Sequence, residues 1–309
     1  MSFSPEHMPS EPETFPWVVE VDGRVHDLSI TLYEHPDASS RDTLAQYYGG
    51  LGERGLALPK AVHELGVNDL QATAVELPFR ELPAEAKYIE FMATEAPQAV
   101  AAHLNERAGK PGDAPAHRLG NSQGSGVALI SAGAAPEGVD IVAVMGVLGL
   151  NKEAFQNHPL GAKAGFLYRF AVKNALLRME QNLLVDPKGN FDAIREVGGY
   201  VLAEMLSGRL NPTLDYALDK SLVPQLSTLI AEGHDVGLFL GKRDPNFRPK
   251  EVGATLDTIG ARSLLHVVPG SHGTTNNWGG RRQLGHVGRW VRQVEDDRNL
   301  PEPDEAQVA

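Results

Sequence analysis

The chain has 309 residues, a formal net charge of −12 and no cysteine. Without cysteine there are no disulfides, thiolate nucleophiles, zinc ribbons or iron–sulfur clusters. The acidic balance argues against nucleic acid and anionic membrane surfaces, which both call for clustered Lys and Arg.

An apolar content of 42% is ordinary for a globular protein, and the length suits one large α/β domain with an insertion or two smaller domains. Residues Met1 to His7 carry no basic region and no apolar run, so no secretory signal is read there. No apolar run reaches the roughly 18–20 residues that span a bilayer, and a cytoplasmic location is the expectation. The Pro-, Glu- and Ser-rich residues 1–13 and the acidic residues 296–309 are expected to form disordered tails.

Trp17–Val21 and Leu28–Tyr33 flank Asp22-Gly23, a strong turn dipeptide, and predict a hairpin. Thr43–Tyr48 predicts a third strand running into Gly49-Gly50-Leu51-Gly52. Leu56–Leu65 reads as a helix with Pro59 in its first turn, Ala72–Leu77 as a strand, and Ala84–Ala108 as a helix kinked at Pro97. Ala116–Leu119 is a brief strand before the helix Val127–Ala135, and Val139–Val147 is a strand buried on both faces.

From Asn151 the pattern turns helical, with long segments at Ala162–Leu184 and Phe191–Leu206 and another after Pro212. Strand rhythm resumes at Val236–Leu240 and Leu264–Val268, separated by the helix Lys250–Ile259 and followed by a last helix, Trp278–Val294. This predicts a mostly parallel eight-stranded α/β sheet flanked by helices. The core covers 14–150 and 232–295, and a helical cap at 151–231 is inserted after the sixth strand.

Gly120-Asn121-Ser122-Gln123-Gly124 lies between a strand and a helix, where Gly-x-Ser-x-Gly forms a sharp turn that exposes the serine hydroxyl. The glycines are expected where strand and helix approach too closely for a Cβ, and Gly126 adds a small residue on the packed side. Reactive groups of a parallel sheet gather beyond the carboxyl ends of its strands. Ser122, Asp244 (within Gly241–Pro245) and His272 (within Pro269–Gly273) all follow strands at that edge, in the order Ser, Asp, His. Asp235 enters its strand from the opposite edge, and Asp257 sits on a helix. His266 lies inside a strand, His63 and His103 lie on helices facing solvent, and His117 begins its strand at the wrong edge.

With these motifs the chain resembles the α/β-hydrolase superfamily, over the elbow at 116–135, the acid loop at 241–249 and the histidine loop at 264–273. The resemblance implies Ser122 as nucleophile, His272 as the group that moves the proton, and Asp244 as the acid that stabilises the imidazolium. It also implies an oxyanion hole formed by the N–H of Gln123 and a second donor, Gly50 or Leu51, from the loop after the third strand. Tyr48 stands where many relatives have a histidine. A serine at the elbow speaks against dehalogenase and epoxide-hydrolase chemistry, which use an aspartate there.

Alternatives remain. Gly50-Leu51-Gly52-Glu53-Arg54-Gly55 also fits a dinucleotide-binding loop, with Glu76 where a ribose-binding acid would sit. Against an NAD-dependent oxidoreductase stand the polar Thr43–Tyr48 and the helix-interrupting Pro59. In the insertion, Phe166, Phe170, Leu177 and Leu184 share a stripe, and Tyr200, Met205 and Leu206 add apolar bulk. Such a cap favours an uncharged, apolar substrate. Arg169, Arg178 and Arg195 read as a solvated face, although one of them could hold a substrate carboxylate. A serine peptidase would need a cap carboxylate such as Glu180, Glu196 or Glu204 to hold a substrate amine, and a non-catalytic binding protein would not need all three triad groups. No metal-ligand spacing occurs, and the expected chemistry needs no cofactor. The expectation is therefore a carboxylic-ester hydrolase acting through an acyl-enzyme on a small or medium, largely apolar ester.

Overall fold

The computed structural model describes residues 11–34, 44–50, 57–68, 70–79, 81–82, 85–108, 116–134, 141–146, 150, 155–156, 159, 161–182, 186–210, 214–215, 218, 221–272 and 278–298. β1 (Glu13–Val21) and β2 (Arg24–Glu34) form the expected hairpin. Asp22 and Gly23 both take left-handed angles, φ 53° and 70°, as a two-residue hairpin turn of matching twist requires. The remaining strands are β3 (Leu44–Tyr48), β4 (Ala72–Glu76), β5 (Ala116–Asn121), β6 (Ile141–Met145), β7 (Asp235–Gly241) and β8 (Leu265–Val268).

They build one eight-stranded sheet in the order β1-β2-β4-β3-β5-β6-β7-β8. The pairings β1–β2 and β2–β4 are antiparallel, and all the others are parallel. β6 is Ile-Val-Ala-Val-Met, buried along its whole length, because helices cover both faces of a parallel sheet. β3 is interior despite its polarity. The Tyr48 hydroxyl donates to Gln46 Oε1 over 2.6 Å, which satisfies two of the polar atoms buried there.

The helices in chain order are α1 (Ala57–Val67), α2 (Ala86–Ala108), α3 (Gln123–Ala134), α4 (Ala162–Leu167), α5 (Asn174–Asn182), α6 (Pro187–Leu206), α7 (Val223–Ala231), α8 (Pro249–Asp257) and α9 (Trp278–Arg298). α1 and α9 cover one face, burying Leu58, Leu65, Leu284 and Val291 with Ile141 and Ala143 of β6. α2, α3 and α7 cover the other face, burying Met92, Val100, Leu129 and Leu226 with Val142 and Val144. The alternation along β6 puts its neighbouring residues into opposite layers.

Between β6 and β7 the described chain is helical. A π-helical stretch, Tyr168–Lys173, joins α4 to α5 within the long helix that periodicity predicts. α6 starts earlier than expected because Asp186 caps it, accepting from the amide of Gly189 over 2.9 Å ahead of Pro187. Among the described residues no helix is long and apolar enough to cross a membrane.

The described residues reach into both segments expected as tails. Glu13 opens β1 and binds His103 and Arg107, with its Oε2 2.5 Å from Arg107 Nη1. α9 continues to Arg298, because Glu295 is buried against His117 of β5, Oε1 to Nε2 2.8 Å. Residues 1–10 and 299–309 lie outside the described residues.

Candidate active site

Ser122 sits in the turn between β5 and α3 with φ 53°, a left-handed angle that costs a residue with a Cβ roughly 1–2 kcal/mol. Its amide donates to the carbonyl of Met145 at the end of β6 over 2.7 Å, and the Ser125 hydroxyl donates to the same carbonyl over 3.0 Å. The turn is packed too tightly for side chains at its ends. A Cβ on Gly120 would lie 2.4 Å from Gly124 O, and one on Gly124 would lie 2.0 Å from Tyr48 O. Gly126 differs from the expectation: a Cβ there would meet only Leu222 Cδ1 at 3.8 Å, an ordinary contact.

Asp244 lies in the loop after β7. Its Oδ1 accepts the amides of Asn246 and Phe247 over 2.8 and 2.9 Å, and its Oδ2 accepts Nδ1–H of His272 over 2.9 Å. With Nδ1 as the donor, Nε2 of the neutral ring is left as an acceptor. Two backbone bonds stitch the acid and histidine loops together: Lys242 N to Val268 O at 2.7 Å and Arg243 N to Gly270 O at 2.8 Å. The Gln283 amide of α9 holds the carbonyl of Ser271 over 2.5 Å. Rings of Phe247 and Phe170 flank the imidazole at centroid distances of 5.2 and 6.2 Å.

The dipeptide Met145-Gly146 touches both halves of this arrangement. Met145 O holds the Ser122 amide, and a Cβ on Gly146 would stand 2.7 Å from His272 Cε1. Ser122, Asp244 and His272 are each only 4% exposed, so each lies in water-poor surroundings where its interactions are strengthened.

Gln123 is the first residue of α3, where helix amides have no intrahelical acceptor. Gly50 lies against the serine: a Cβ on it would be 3.1 Å from Ser122 Cβ and 3.2 Å from Asn121 O. Leu51 lies outside the described residues, as does the rest of the glycine-rich loop through Gly55. Glu76, the candidate ribose ligand, instead accepts the Tyr33 hydroxyl over 2.9 Å.

The other candidates are placed elsewhere. His117 is paired with Glu295, and His266 stacks on Phe239 at 4.7 Å, where burial lowers its pKa. His103 is half-buried on α2, stacked 4.1 Å from Phe15, so it does not simply face solvent as expected; His63 is also half-buried. Asp235 pairs with Arg298 and Asp257 with Arg262.

In the helical insertion, Phe155, Phe166 and Phe170 form a ring series, 5.2 and 5.8 Å between centroids, that ends at His272. Arg169 is a correction. It is 7% exposed, lies 4.9 Å over the Phe155 ring and donates to Glu251 at 3.4 Å, rather than standing on a solvated face. Arg195 is exposed, as expected. Met205 and Leu206 add no core bulk, being 58% and 81% exposed. Glu180 is held by Arg243 and Glu204 is buried beside Arg209. Leu184 and the side chains of Arg178, Glu196 and Tyr200 lie outside the described residues. Among the described residues no group of His, Asp and Glu forms a metal-binding cluster.

Sequence features missed Phe247, Gly146 and Gln283. Gly146 alone left a signal, as a glycine directly after a buried strand.

No family model and no curated protein matches the chain. Solved structures do match it in fold. One, from work on carboxylesterases of the ammonia-oxidizing thaumarchaeon Nitrososphaera gargenis, is 16% identical with a TM-score of 0.56 over 91% of this chain and 99% of that one. A haloalkane dehalogenase loop variant from Bradyrhizobium elkanii is 13% identical with a TM-score of 0.55, over 94% and 100%. A lipase described as an open form is 16% identical with a TM-score of 0.52, over 94% and 100%.

Proposed function

We propose that this chain, whose fold is that of the α/β-hydrolases, is a carboxylic-ester hydrolase that works through an acyl-enzyme on Ser122. One observation carries the reading. A serine strained to φ 53° at a strand–helix turn shares Met145-Gly146 as a neighbour with a buried imidazole already bonded to a buried carboxylate.

In this mechanism the Ser122 hydroxyl attacks the acyl carbon while Nε2 of His272 takes its proton. Asp244 keeps the proton on Nδ1, so that Nε2 is the basic nitrogen, and it stabilises the imidazolium that forms. Its two backbone bonds to Oδ1 leave Oδ2 aimed at the ring. The developing oxyanion is received by the amide of Gln123, helped by the positive end of α3, and by the Gly50 backbone. Each such donor is worth about 3–4 kcal/mol. His272 then returns its proton to the leaving alcohol, and a water activated by the same nitrogen releases the acid. The rings of Phe170 and Phe247 beside His272 favour an apolar acyl or alcohol group over a charged one.

The test is steady-state and burst kinetics on a series of nitrophenyl esters, with Ser122→Ala alongside. The reading expects turnover that falls by about 10⁴-fold or more in the variant. Turnover that survives the substitution contradicts it.

A further inference from the structure

A cavity of about 420 Å³ opens between the helical insertion and the loop that follows β7. Five cations line it: Lys173 from the π-helical stretch, Lys242 and Arg243 from the loop, and Arg248 and Lys250 from the start of α8. The only carboxylate in the lining is Asp244, whose oxygens are already engaged by His272 and two backbone amides. In a chain of net charge −12, this is a local inversion of sign.

The surrounding acids neutralise only part of it. Glu180 takes both guanidinium nitrogens of Arg243, at 3.2 and 2.8 Å, and Glu251 accepts from Arg248 at 3.2 Å. Lys173, Lys242 and Lys250 make no ion pair or side-chain hydrogen bond among the described residues. No side chain caps α8 at Arg248, while Glu251 in its first turn offsets part of that helix's positive end. The ammonium groups of Lys173, Lys242 and Lys250, unpaired among the described residues, line one cavity and repel each other, and a bound anion would relieve that repulsion.

We infer that this cavity, which borders Asp244 but not Ser122, is a binding site for a ligand bearing a phosphate group. A phosphate monoester carries about −1.5 to −2 charge and several acceptor oxygens, which three free ammonium groups can share. A lone carboxylate would leave most of the positive charge unmatched. The phosphate can come from a soluble metabolite or from a lipid headgroup, and the two are separable by experiment. Neither case depends on the proposed hydrolytic chemistry, because the readout is binding.

The test is calorimetric titration of the full chain at low salt, with inorganic pyrophosphate in one arm and vesicles containing phosphatidic acid in the other. Both are repeated on Lys173→Gln/Lys242→Gln/Lys250→Gln, after its melting curve shows that it is folded. The site predicts saturable binding of one ligand per chain, weakened at least tenfold in the triple variant and lowered by added salt. Single substitutions, each expected to weaken binding about threefold, take its place if the triple variant does not fold. Binding of the vesicles alone identifies the lipid as the source, and binding of pyrophosphate identifies a soluble ligand. Absence of saturable binding in both arms, or equal affinity in the lysine variants, overturns the inference.

Discussion

Gly146 stands so close to the imidazole of His272 that a Cβ on it would lie 2.7 Å from Cε1 and 3.0 Å from Nδ1. Its φ of 70° adds a second reason for glycine. Gly146→Ala is therefore expected to push the ring away from Ser122. A displacement of about 1 Å costs about 100-fold in kcat, with a loss of stability near 1 kcal/mol from the backbone angle. Ester kinetics and thermal melts check both parts, and a variant with unchanged kcat would show that the contact is idle.

Asp244→Asn separates geometry from charge. The amide oxygen can still accept from Asn246 and Phe247, so the loop is expected to keep its shape. The amide nitrogen then faces Nδ1 of His272 as a donor and favours the wrong tautomer. We expect kcat to fall about 10⁴-fold with little change in KM. The melting temperature should move much less than for an alanine at this site.

Two glycines of the elbow region make an internal comparison. Gly124→Ala drives a Cβ to 2.0 Å from the Tyr48 carbonyl, backbone against backbone, and is expected to cost about 3 kcal/mol or more. Gly126→Ala meets only the end of Leu222 at 3.8 Å and improves helix propensity, so it should be neutral or gain about 0.5–1 kcal/mol. Urea titrations of the two variants decide the matter.

Glu295 ties the last helix to β5. Burial alone would raise its carboxyl pKa, but bonds and charge from His117 and Arg292 outweigh burial and hold it below the ordinary 4.5. A depressed acid contributes stability above its unfolded value and loses it as pH falls through the lower folded value. Glu295→Gln should therefore cost about 1–3 kcal/mol at pH 7, and the difference from the parent should shrink below pH 4.5. Melting curves across that range measure it, and a gap that widens toward low pH would reverse the sign.

The places of Ser122, Asp244 and His272 in the fold were legible because each lies a few residues past an apolar run, and a parallel sheet sends all such loops to one edge. The hairpin was legible from Asp22-Gly23 for an equally local reason. What escaped depends on contacts between distant segments. β3 looks too polar for an interior strand until Tyr48 is seen bonding Gln46. Arg169 looks solvated on a helical wheel, yet the insertion folds it against Phe155 and Glu251. Likewise nothing local marks Glu295, at the very end of the expected core, as buried, yet His117, far away in sequence, draws it inward.

The most direct test of the central claim is mass spectrometry of the purified chain after a fluorophosphonate probe, with the adduct mapped by peptide. The account predicts a single stoichiometric adduct on Ser122, lost in Ser122→Ala and slowed in His272→Ala. A chain that stays unlabelled while folded, or that labels at another serine, contradicts it.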